Sequence, residues 1–404
     1  PDVVGITTTT FTLIDVLNIA NAVKEVNRNI YVVTGGPHLS IYPEETLAQK
    51  DVDAVVIGEG EITFCELVRH LADFKPLAEI EGVGFKKDGR IIINQPREYI
   101  QNLDEIPFPA RELLPLSRYY SIHGQKEQMT TIFTSRGCPY NCLFCYHAFG
   151  KKFRFRSPGN VADELQEIMN LGIKEIFFFD DLFTAKKDFA MGICEEIIKR
   201  KLHLVWEIRA RINTVDREIL QGLKQAGCSR ISYGVEAGTD RVLGVLRKGI
   251  TTQQVIEVFR LTKAVGLITY ADFMIGSPSE TRSEILETIR FAQKLNPDFV
   301  QFSITTPYPQ TDLYRLGLEK KIFEEDFWLK FAQNPTKNFK PQIFNENLTY
   351  DELVDLLNYA YKGFYVRPKF ILKCLLSIKS TKEFCRYARA GLRLIGQRVG
   401  RREK

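Results

Sequence analysis

The sequence predicts an α/β protein, with a partial, TIM-like (β/α)6 barrel preceded by a truncated Rossmann-like domain and followed by a helical tail. Short apolar segments alternate with amphipathic helical segments, which is the pattern of parallel sheets. Six such repeats lie between residues 130 and 305, whereas a closed barrel of this kind has about eight. Hydrophobic residues form 44% of the 404-residue chain and charged residues 26%, so we expect sizeable cores.

Residues 1–75 are predicted to form the smaller α/β domain. A helix is expected over Ile14–Val26, and the strands are Val3–Thr7, Ile30–Thr34 and Ala54–Ile57. Because the sequence begins at Pro1, in the middle of this pattern, we expect a fragment or a processed product. No apolar run reaches the roughly 18 residues that span a bilayer, and we expect a cytoplasmic protein.

The loops after the first two strands are candidate ligand sites, because parallel sheets bind ligands at the carboxyl ends of their strands. Gly35 and Gly36 follow the second strand and would let the backbone approach a flat or nucleotide-like ligand closely. Thr7–Thr10 would line the same pocket. His38 could be a further ligand, but we interpret it as a polar loop residue.

Residues 76–129 are predicted to be a connector between the two domains. Gly82–Ile93 has the pattern of a hairpin around Lys87-Asp88-Gly89. The next segment, IPFPARELLPL, is interrupted by prolines and should therefore form no long regular element.

Residues 130–315 are predicted to form the barrel. Amphipathic segments such as Asn160–Leu171 and Thr252–Val265 predict its helices. The expected strands are Thr131–Ser135, Glu175–Asp180, Leu204–Arg209, Arg230–Glu236, Thr269–Ile275 and Phe299–Thr305. Residues 316–404 are predicted to be a helical, basic extension.

The positive charge of the chain is concentrated in this extension. Lys369–Lys404 contains eleven Lys or Arg and two Glu, hence +9, which leaves −4 for the rest of a chain of net charge +5. Such a helix can lie on an anionic membrane or pack on the body through its apolar residues. These residues are Phe370, Leu372, Leu375, Leu376, Ile378, Leu392, Leu394 and Ile395. We expect no nucleic-acid partner, because no known binding module accompanies the charge.

Three of the eight cysteines lie close together, in TSRGCPYNCLFCYHAFG after the first barrel strand. The spacing Cys138-x3-Cys142-x2-Cys145 lets three thiolates of one short loop reach three corners of a cubane [4Fe-4S] cluster. Because no fourth protein ligand is near in sequence, one iron would stay open, as the metal does in catalytic zinc sites. An open iron can bind the amino and carboxylate groups of a methionine moiety.

Two other interpretations of these cysteines remain open. A structural zinc site could use His147 as a fourth ligand, although such sites usually have a second CxxC pair some 12–20 residues away. The three residues could also be unrelated buried cysteines. Since eight cysteines in a chain of this length do not form a dense disulfide framework, metal or redox chemistry is favoured.

The triad, with Phe144 before its last cysteine, resembles the signature of the radical S-adenosylmethionine (SAM) superfamily. Five further segments follow in the order of that superfamily's cobalamin-binding branch, namely FRFRSPGNVADEL, FFFDDLF, RISYGVEAGTDRVLGVLRKGIT, ADFMIGSPSET and TTPYPQTDLY. That branch includes the anaerobic Mg-protoporphyrin monomethyl ester oxidative cyclase and hopanoid- or lipid-modifying methylases. The resemblance covers about residues 1–315. It implies a radical SAM barrel behind a partial cobalamin-binding domain.

The resemblance also implies contacts to SAM at the strand ends. Asp180 and Asp181 would orient its amino group, although they could instead cap the following helix. Glu236 would bind the ribose hydroxyls, with a surface salt bridge as the alternative. Phe144 would lie in the cofactor site, and Gly276 would allow close approach of the backbone to the adenine.

Cations near the predicted site are candidate partners for anionic groups. Arg247, and with it Lys248, could pair with the SAM carboxylate, although a solvated helix face explains them nearly as well. Arg209 and Arg211 are similar candidates, for SAM or for an anionic substrate. Two turns depart from the family pattern, because Ser279 and Gln310 stand where it usually has glycine.

The segments VVTGGPH and DAVVIGEGE resemble the second half of the family's cobalamin domain. Gly35 and Gly36 would then meet the nucleotide tail of cobalamin. The first half of that domain, with its Asp-x-His-x-x-Gly loop, is not in this sequence. The expected cofactors are therefore a [4Fe-4S] cluster and SAM, with cobalamin as a candidate third.

The resemblance implies a radical enzyme. It would cleave SAM reductively to a 5′-deoxyadenosyl radical, for C–H functionalisation or cobalamin-assisted methylation of a hydrophobic or lipid-like small molecule. Oxidative modification of a tetrapyrrole is the alternative within this class, and an iron–sulfur electron-transfer protein without SAM turnover is the alternative outside it. Flavodoxin or ferredoxin would be the electron donor, and any membrane contact would be peripheral.

Overall fold

The computed structural model describes residues 1–120, 128–344 and 346–377. The chain divides into two compact units. The first comprises Pro1–Ile106, Tyr146–Lys152 and Tyr308–Gln342, and the second comprises the described parts of Pro107–Cys145, Phe153–Pro307 and Ile343–Lys404.

The first unit is built on a sheet of order β1-β2-β3-β4-β5. Its strands are β1 (Val3–Thr7), β2 (Tyr31–Gly35), β3 (Ala54–Val56), β4 (Val83–Lys87) and β5 (Arg90–Ile93). The first three are parallel, and the last two join them in antiparallel fashion. The helices between these strands are α1 (Leu13–Val26), α2 (Pro43–Ala48) and α3 (Gly60–Ala72).

The predicted elements of residues 1–75 are confirmed to within one residue at each end. The hairpin is also present, with Asp88 and Gly89 at positive φ. However, β4 pairs with β3, so the hairpin extends the first sheet instead of belonging to a separate connector. The reason is physical, because β3 is fully buried and the apolar start of β4 covers its otherwise open edge.

The second unit contains the strands of the partial (β/α)6 barrel. In chain order its strands are β6 (Met129–Ile132), β7 (Ser135–Arg136), β8 (Arg154–Phe155), β9 (Glu175–Phe178), β10 (Val205–Ala210), β11 (Cys228–Glu236), β12 (Ile268–Ile275) and β13 (Phe299–Ile304). A parallel sheet has the order β13-β12-β11-β10-β9-β6, while β7 and β8 form a small antiparallel ribbon.

Helices connect the strands of this sheet. They are α4 (Pro158–Asn170), α5 (Lys187–Lys199), α6 (Arg217–Gln225), α7 (Asp240–Val245), α8 (Thr252–Val265) and α9 (Arg282–Leu295). After β13, α10 (Asp312–Glu319) and α11 (Phe327–Gln333) lie in the first unit, whereas α12 (Tyr350–Tyr365) and α13 (Pro368–Ser377) lie in the second. Residues 308–342 thus belong with the N-terminal unit, which the predicted boundary at residue 315 does not anticipate.

Alternating side chains give the barrel sheet a packed face and an open face. On β10, Trp206, Ile208 and Ala210 are buried in the core, while Glu207 and Arg209 point the other way. The strands β9 and β12 alternate in the same manner. Because the buried set packs against the helices, the second set lines the inside of the partial barrel.

The first barrel strand is shorter than predicted. One strand is predicted over Thr131–Ser135, but β6 ends at Ile132 and β7 begins at Ser135. The buried carboxylate of Asp180 accepts hydrogen bonds from the backbone N–H of Thr134 at 2.6 Å and of Ser135 at 3.1 Å. These bonds turn the chain away from the sheet just before the cysteine loop.

Two tyrosines of α12 occupy the open edge of the barrel sheet. The hydroxyl of Tyr365 accepts from the N–H of Val300 at 2.9 Å and donates to its carbonyl at 2.6 Å. The hydroxyl of Tyr361 makes the same pair of bonds with Phe302, at 3.2 and 2.9 Å. Four helical residues rise about 6 Å and two strand residues about 6.6 Å, so the two spacings match. The free edge of β13 is thereby satisfied without another strand.

The helix α13 begins the basic tail. Phe370 packs against the core, with its ring centroid 5.0 Å from that of Tyr365. Leu372, Leu375 and Leu376 are exposed. The predicted apolar positions from Ile378 onward lie outside the described residues. In the part of the chain that the structure describes, no helix is both long enough and apolar enough to cross a bilayer.

We predict that Tyr365→Phe destabilises the protein by about 1–3 kcal/mol, because it leaves the N–H and C=O of Val300 without partners at a half-buried edge. Chemical denaturation followed by circular dichroism measures this change. Tyr359→Phe is the matched control, since Tyr359 lies on the same helix and is exposed. Equal stability of the two variants would contradict the edge-capping role.

Candidate active site

The cysteine triad lies on the loop that follows β7. Cys142 is buried, Cys138 is partly buried and Cys145 is exposed. The backbone N–H of Cys145 donates to the carbonyl of Cys142 at 3.2 Å, so the end of the loop is a tight turn. A loop this short limits how far apart the three sulfur atoms can lie.

The ends of neighbouring elements hold this loop in place. The carboxylate of Asp180 binds the chain before it, as described above, and the Thr134 hydroxyl also donates to that carboxylate. The carboxylate of Asp181 accepts from the N–H of Gly137 at 3.1 Å. The N–H of Leu143 donates to the carbonyl of Leu246, at the end of α7, at 3.0 Å. Asp180 and Asp181 therefore position the loop, and their predicted contact with the SAM amino group stays a prediction.

Arg211, directly after β10, contacts the triad. Its Nη1 donates to the Sγ of Cys142 at 3.0 Å, and its Nη2 donates to the carbonyl of Lys248. Its guanidinium carbon lies 3.8 Å from the centroid of the Tyr140 ring. The side chain is buried, and none of the described carboxylates pairs with it. A thiolate at Cys142 would supply the missing counter-charge.

The thiols of Cys138 and Cys145 resist ionisation in this environment. Burial is the main cause that raises the pKa of Cys138. Desolvation around its sulfur, and then the neighbouring Cys142 and Cys138, raise the pKa of Cys145 to about 12, although the residue as a whole is exposed. Thiolates so close together need compensating positive charge, which the iron ions of a cluster provide.

The donor set fits a cubane cluster better than a single metal ion. Within residues 1–120, 128–344 and 346–377, no three His, Cys, Asp or Glu side chains converge as the ligands of one ion do. Three thiolates that bind three different irons need no such convergence. The arrangement gives no support to the zinc interpretation with His147.

A buried ion pair lies at the end of β11. The Nζ of Lys248 is 2.7 Å from the Oε1 of Glu236, and both side chains are buried. Glu236 has a positive φ of 71°, and the pairing of β11 with β12 slips by one residue here. A Cβ on Gly234 would collide with the Glu236 carboxylate and lie 2.9 Å from Nζ. Only glycine at this position leaves room for the pair to fold back over the strand.

The other residues predicted to contact SAM differ from one another in burial and in the groups that they touch. Phe144 is partly buried, and its ring centroid lies 5.8 Å from the Nζ of Lys248. Arg247 is exposed and has a positive φ of 53°, whereas its neighbour Lys248 is buried, and the predicted contact of Arg247 with the SAM carboxylate stays a prediction. Gly276 has a positive φ of 77°, and a Cβ there would lie 2.8 Å from Leu353. The described contact of Gly276 is thus a side chain of α12, and its adenine contact stays a prediction.

A second polar site lies in the first unit, at the carboxyl ends of β1 and β2. Gly36 has a positive φ of 107°, and a Cβ there would lie 2.7 Å from the carbonyl of Thr8. The hydroxyls of Thr8 and Thr34 and the Nε2 of His38 are buried and have no hydrogen-bond partner. Such groups are rare in folded proteins and costly, so they suit a ligand that supplies the missing partners. Gly35, beside them, has room for an ordinary side chain.

His38 is therefore not the ordinary polar loop residue that we expected. It is fully buried, and burial lowers its pKa to about 4, so the ring is neutral near pH 7. Its Nδ1 lies 3.2 Å from the Thr10 hydroxyl, which leaves Nε2 for a ligand. Its ring centroid is 5.5 Å from that of Tyr42, which lines a cavity of about 550 Å³ in the same unit. This polar cradle fits the amide-rich periphery of cobalamin.

Two family models match the chain in the regions that carry these sites. Residues 132–292 match the radical SAM superfamily, and residues 1–68 match the B12 binding domain. An uncharacterized methyltransferase of Pyrococcus horikoshii is 39% identical over 377 residues, which cover 92% of this chain and 80% of that protein. The chain belongs to the cobalamin-binding branch of the radical SAM superfamily.

Other relatives of this radical SAM enzyme are known by different activities. The anaerobic magnesium-protoporphyrin IX monomethyl ester cyclase of Rubrivivax gelatinosus is 30% identical, over 92% of this chain and 67% of that protein. The corresponding cyclase of Cereibacter sphaeroides is 28% identical, and the chain covers 64% of it. The chain thus spans about two thirds of the length of these cyclases.

Solved structures confirm the fold of the radical SAM enzyme. The cobalamin-dependent enzyme OxsB, with aqua-cobalamin and SAM bound, superposes with a TM-score of 0.74 at 19% identity, covering 98% of this chain and 63% of that one. The methyltransferase TsrM of Kitasatospora setae, with cobalamin and a [4Fe-4S] cluster bound, gives 0.72 at 19% identity, covering 91% and 79%.

Family membership establishes the cofactors. Radical SAM enzymes carry a [4Fe-4S] cluster and SAM, and the B12 binding domain adds cobalamin. Sequence reasoning found the triad from its spacing but left Arg211 and Lys248 among several equal candidates. A long-range hydrogen bond to sulfur and a buried ion pair have no local sequence signal.

We predict that Cys142→Ala prevents assembly of the cluster, because it removes the sulfur that Arg211 contacts and one of the three predicted iron ligands. Iron and labile-sulfide content after anaerobic reconstitution should fall, and 5′-deoxyadenosine formation should be lost, while the circular dichroism spectrum is retained. Cys65→Ala is the control, since Cys65 is an exposed cysteine of the first unit. Full turnover of Cys142→Ala would refute the assignment.

We also predict that His38→Leu weakens cobalamin binding roughly tenfold while the cobalamin-free protein becomes more stable, because a buried nitrogen without a partner is removed. Equilibrium dialysis with absorbance detection and thermal denaturation measure the two effects. The folded pKa of about 4 lies below the usual 6.5, so wild-type stability should fall as pH drops through this interval and the gain of the variant should widen. His203→Leu, at an exposed position, is the control.

Proposed function

We propose that this enzyme methylates a carbon atom of a hydrophobic small molecule, using cobalamin as the methyl carrier. The observation that carries this proposal is the coexistence, in one chain, of the cysteine triad and a cradle of unpartnered buried polar groups in the B12 binding domain. The Pyrococcus horikoshii relative, which is named a methyltransferase, supports the same reaction class.

The bound cofactors supply the reaction itself, because the cluster and SAM together generate the 5′-deoxyadenosyl radical and cobalamin carries the methyl group. The protein residues hold the cofactors in place and shield them from water. Arg211 fixes the Sγ of Cys142 and would offset the negative charge of the thiolates. Asp180 and Asp181 hold the chain before the triad, so the loop is positioned before the cofactors bind.

The buried pair of Glu236 and Lys248 is the proposed partner of SAM beside the loop. Glu236 would accept from the ribose hydroxyls while Lys248 holds its carboxylate in position. Phe144, which lies next to Lys248, would exclude water from the open iron. Arg247 and Gly276 remain proposed contacts for the SAM carboxylate and adenine.

The substrate class is proposed as hydrophobic because aromatic side chains line the open face of the barrel sheet. Phe133 and Phe179 are exposed there, and their ring centroids are 5.5 Å apart. We further propose that flavodoxin or ferredoxin reduces the enzyme in the cytoplasm. The exposed leucines of α13, with the basic tail, would provide peripheral contact with an anionic membrane.

Labelled SAM tests methylation directly. We predict that the reconstituted enzyme, given cobalamin, a reductant, a mixture of apolar and tetrapyrrole acceptors and SAM with a trideuterated methyl group, forms 5′-deoxyadenosine and an acceptor product that contains all three deuterium atoms. Mass spectrometry of both products is the measurement, and omission of cobalamin is the control. Deoxyadenosine formation without any label in the product would contradict methylation.

Oxidative modification of a tetrapyrrole is the second candidate. The 30% identity to the Rubrivivax gelatinosus cyclase favours it, because that similarity extends over 92% of this chain. In the same experiment it predicts deoxyadenosine together with a tetrapyrrole product that lacks the methyl label. An electron-transfer protein without SAM turnover would form no deoxyadenosine.

A further inference from the structure

Arg209 is an exposed cation on the open face of the barrel sheet. It lies on β10 near the carboxyl end of the strand, between the buried residues Ile208 and Ala210, so its side chain points into the barrel. Its guanidinium carbon lies 5.4 Å from the ring centroid of Phe177 and 5.2 Å from that of Phe179. The two rings on and just after β9 therefore flank the charge without neutralising it.

Three phenylalanines surround this position, and we call Phe133, Phe177 and Phe179 the phenylalanine cluster. The ring centroids of Phe177 and Phe179 are 5.2 Å apart, and Phe133 lies beside Phe179. Two of the three side chains are exposed, Phe133 to 40% and Phe179 to 42%. Exposed aromatic rings inside a barrel, next to a cation, are typical of a binding site rather than of a packed core.

The other two cations named on this face form ion pairs, whereas the charge of Arg209 acts on the carboxylates of Glu207 and Asp272 only from a distance. The Nε of Arg230 is 2.6 Å from the carboxylate of Glu207, and Lys248 is paired with Glu236. Asp272 on β12 accepts from the hydroxyl of Ser232 at 2.8 Å. Arg209 forms no ion pair with any carboxylate in the described part of the chain.

The register of the strands places Arg209 close to the reaction. Arg209 is opposite Ser232 of β11, and the N–H of Phe179 donates to the carbonyl of Ile132, the last residue of β6. Arg211, which contacts Cys142, is only two residues further along the same chain. A ligand on Arg209 would therefore lie inside the barrel, just below the cysteine loop.

We propose that Arg209 binds an oxyanion of the substrate while the phenylalanine cluster holds the flat apolar body that carries this group. This inference rests on the proposed function and narrows its substrate class to an organic carboxylate or phosphate with a planar hydrophobic part. The planar guanidinium can donate two parallel hydrogen bonds to either oxyanion. The rings of the cluster meet one another edge to face, and together they would orient that plane and exclude water around it.

Matched naphthalene probes test the inference on the full chain, reconstituted with cluster and SAM. Isothermal titration calorimetry under anaerobic conditions would measure the dissociation constants of naphthoate, naphthyl phosphate and the uncharged naphthamide. We expect at least one anion to bind roughly tenfold more tightly than the amide, and Arg209→Gln to abolish this difference. Phe179→Leu should weaken all three probes. Arg260→Gln, an exposed arginine of α8, is the control and should change none.

The same variants separate this inference from the proposed function. The dissociation constant of SAM should be equal in wild type and Arg209→Gln, and a selective loss of SAM binding would overturn the inference. Equal binding of anions and amide by the wild type, or an anion preference that survives Arg209→Gln, would also overturn it. Deoxyadenosine formation is measured in parallel. Its absence in the wild type would contradict the proposed function, whereas the difference in affinity between the anionic probes and the amide would still stand.

Discussion

The contact between Arg211 and Cys142 is the interaction on which the catalytic loop depends. A buried guanidinium without a carboxylate partner is costly in a protein interior, since the desolvation of its charge is uncompensated. Arg211 meets that cost by contacting a sulfur, an aromatic ring and a backbone carbonyl. Arg211 and a thiolate at Cys142 would stabilise each other, because each would supply the charge that the other lacks.

The parallel sheet explains why distant residues meet at this loop. The carboxyl ends of successive strands lie at one edge, so Asp180 after β9, Arg211 after β10 and Glu236 at the end of β11 come together although they are far apart in sequence. Sequence reasoning could predict this gathering, since alternation of strands and helices implies it. It could not predict the partner of each side chain.

The features that sequence reasoning missed depend on contacts between distant residues. Nothing local to Gly234 indicates that a carboxylate and an ammonium group fold back over it. His38 resembles a polar loop residue until the packing shows that it is fully buried. The hydroxyls of Tyr361 and Tyr365 look like part of an amphipathic helix, and only the fold brings them to a strand edge. The triad could be proposed from the sequence because its three cysteines lie on one loop, where their spacing limits the distances between their sulfur atoms.

The tyrosine contacts also restrict how this protein family can vary in length. Each helical residue turns the chain by about 100°. One residue inserted between Tyr361 and Tyr365 would rotate one hydroxyl away from β13 while the other stayed. Loss of one residue would do the same. Length differences among related chains should therefore accumulate before Tyr350 or after Tyr365, where neither hydroxyl changes its phase relative to the strand.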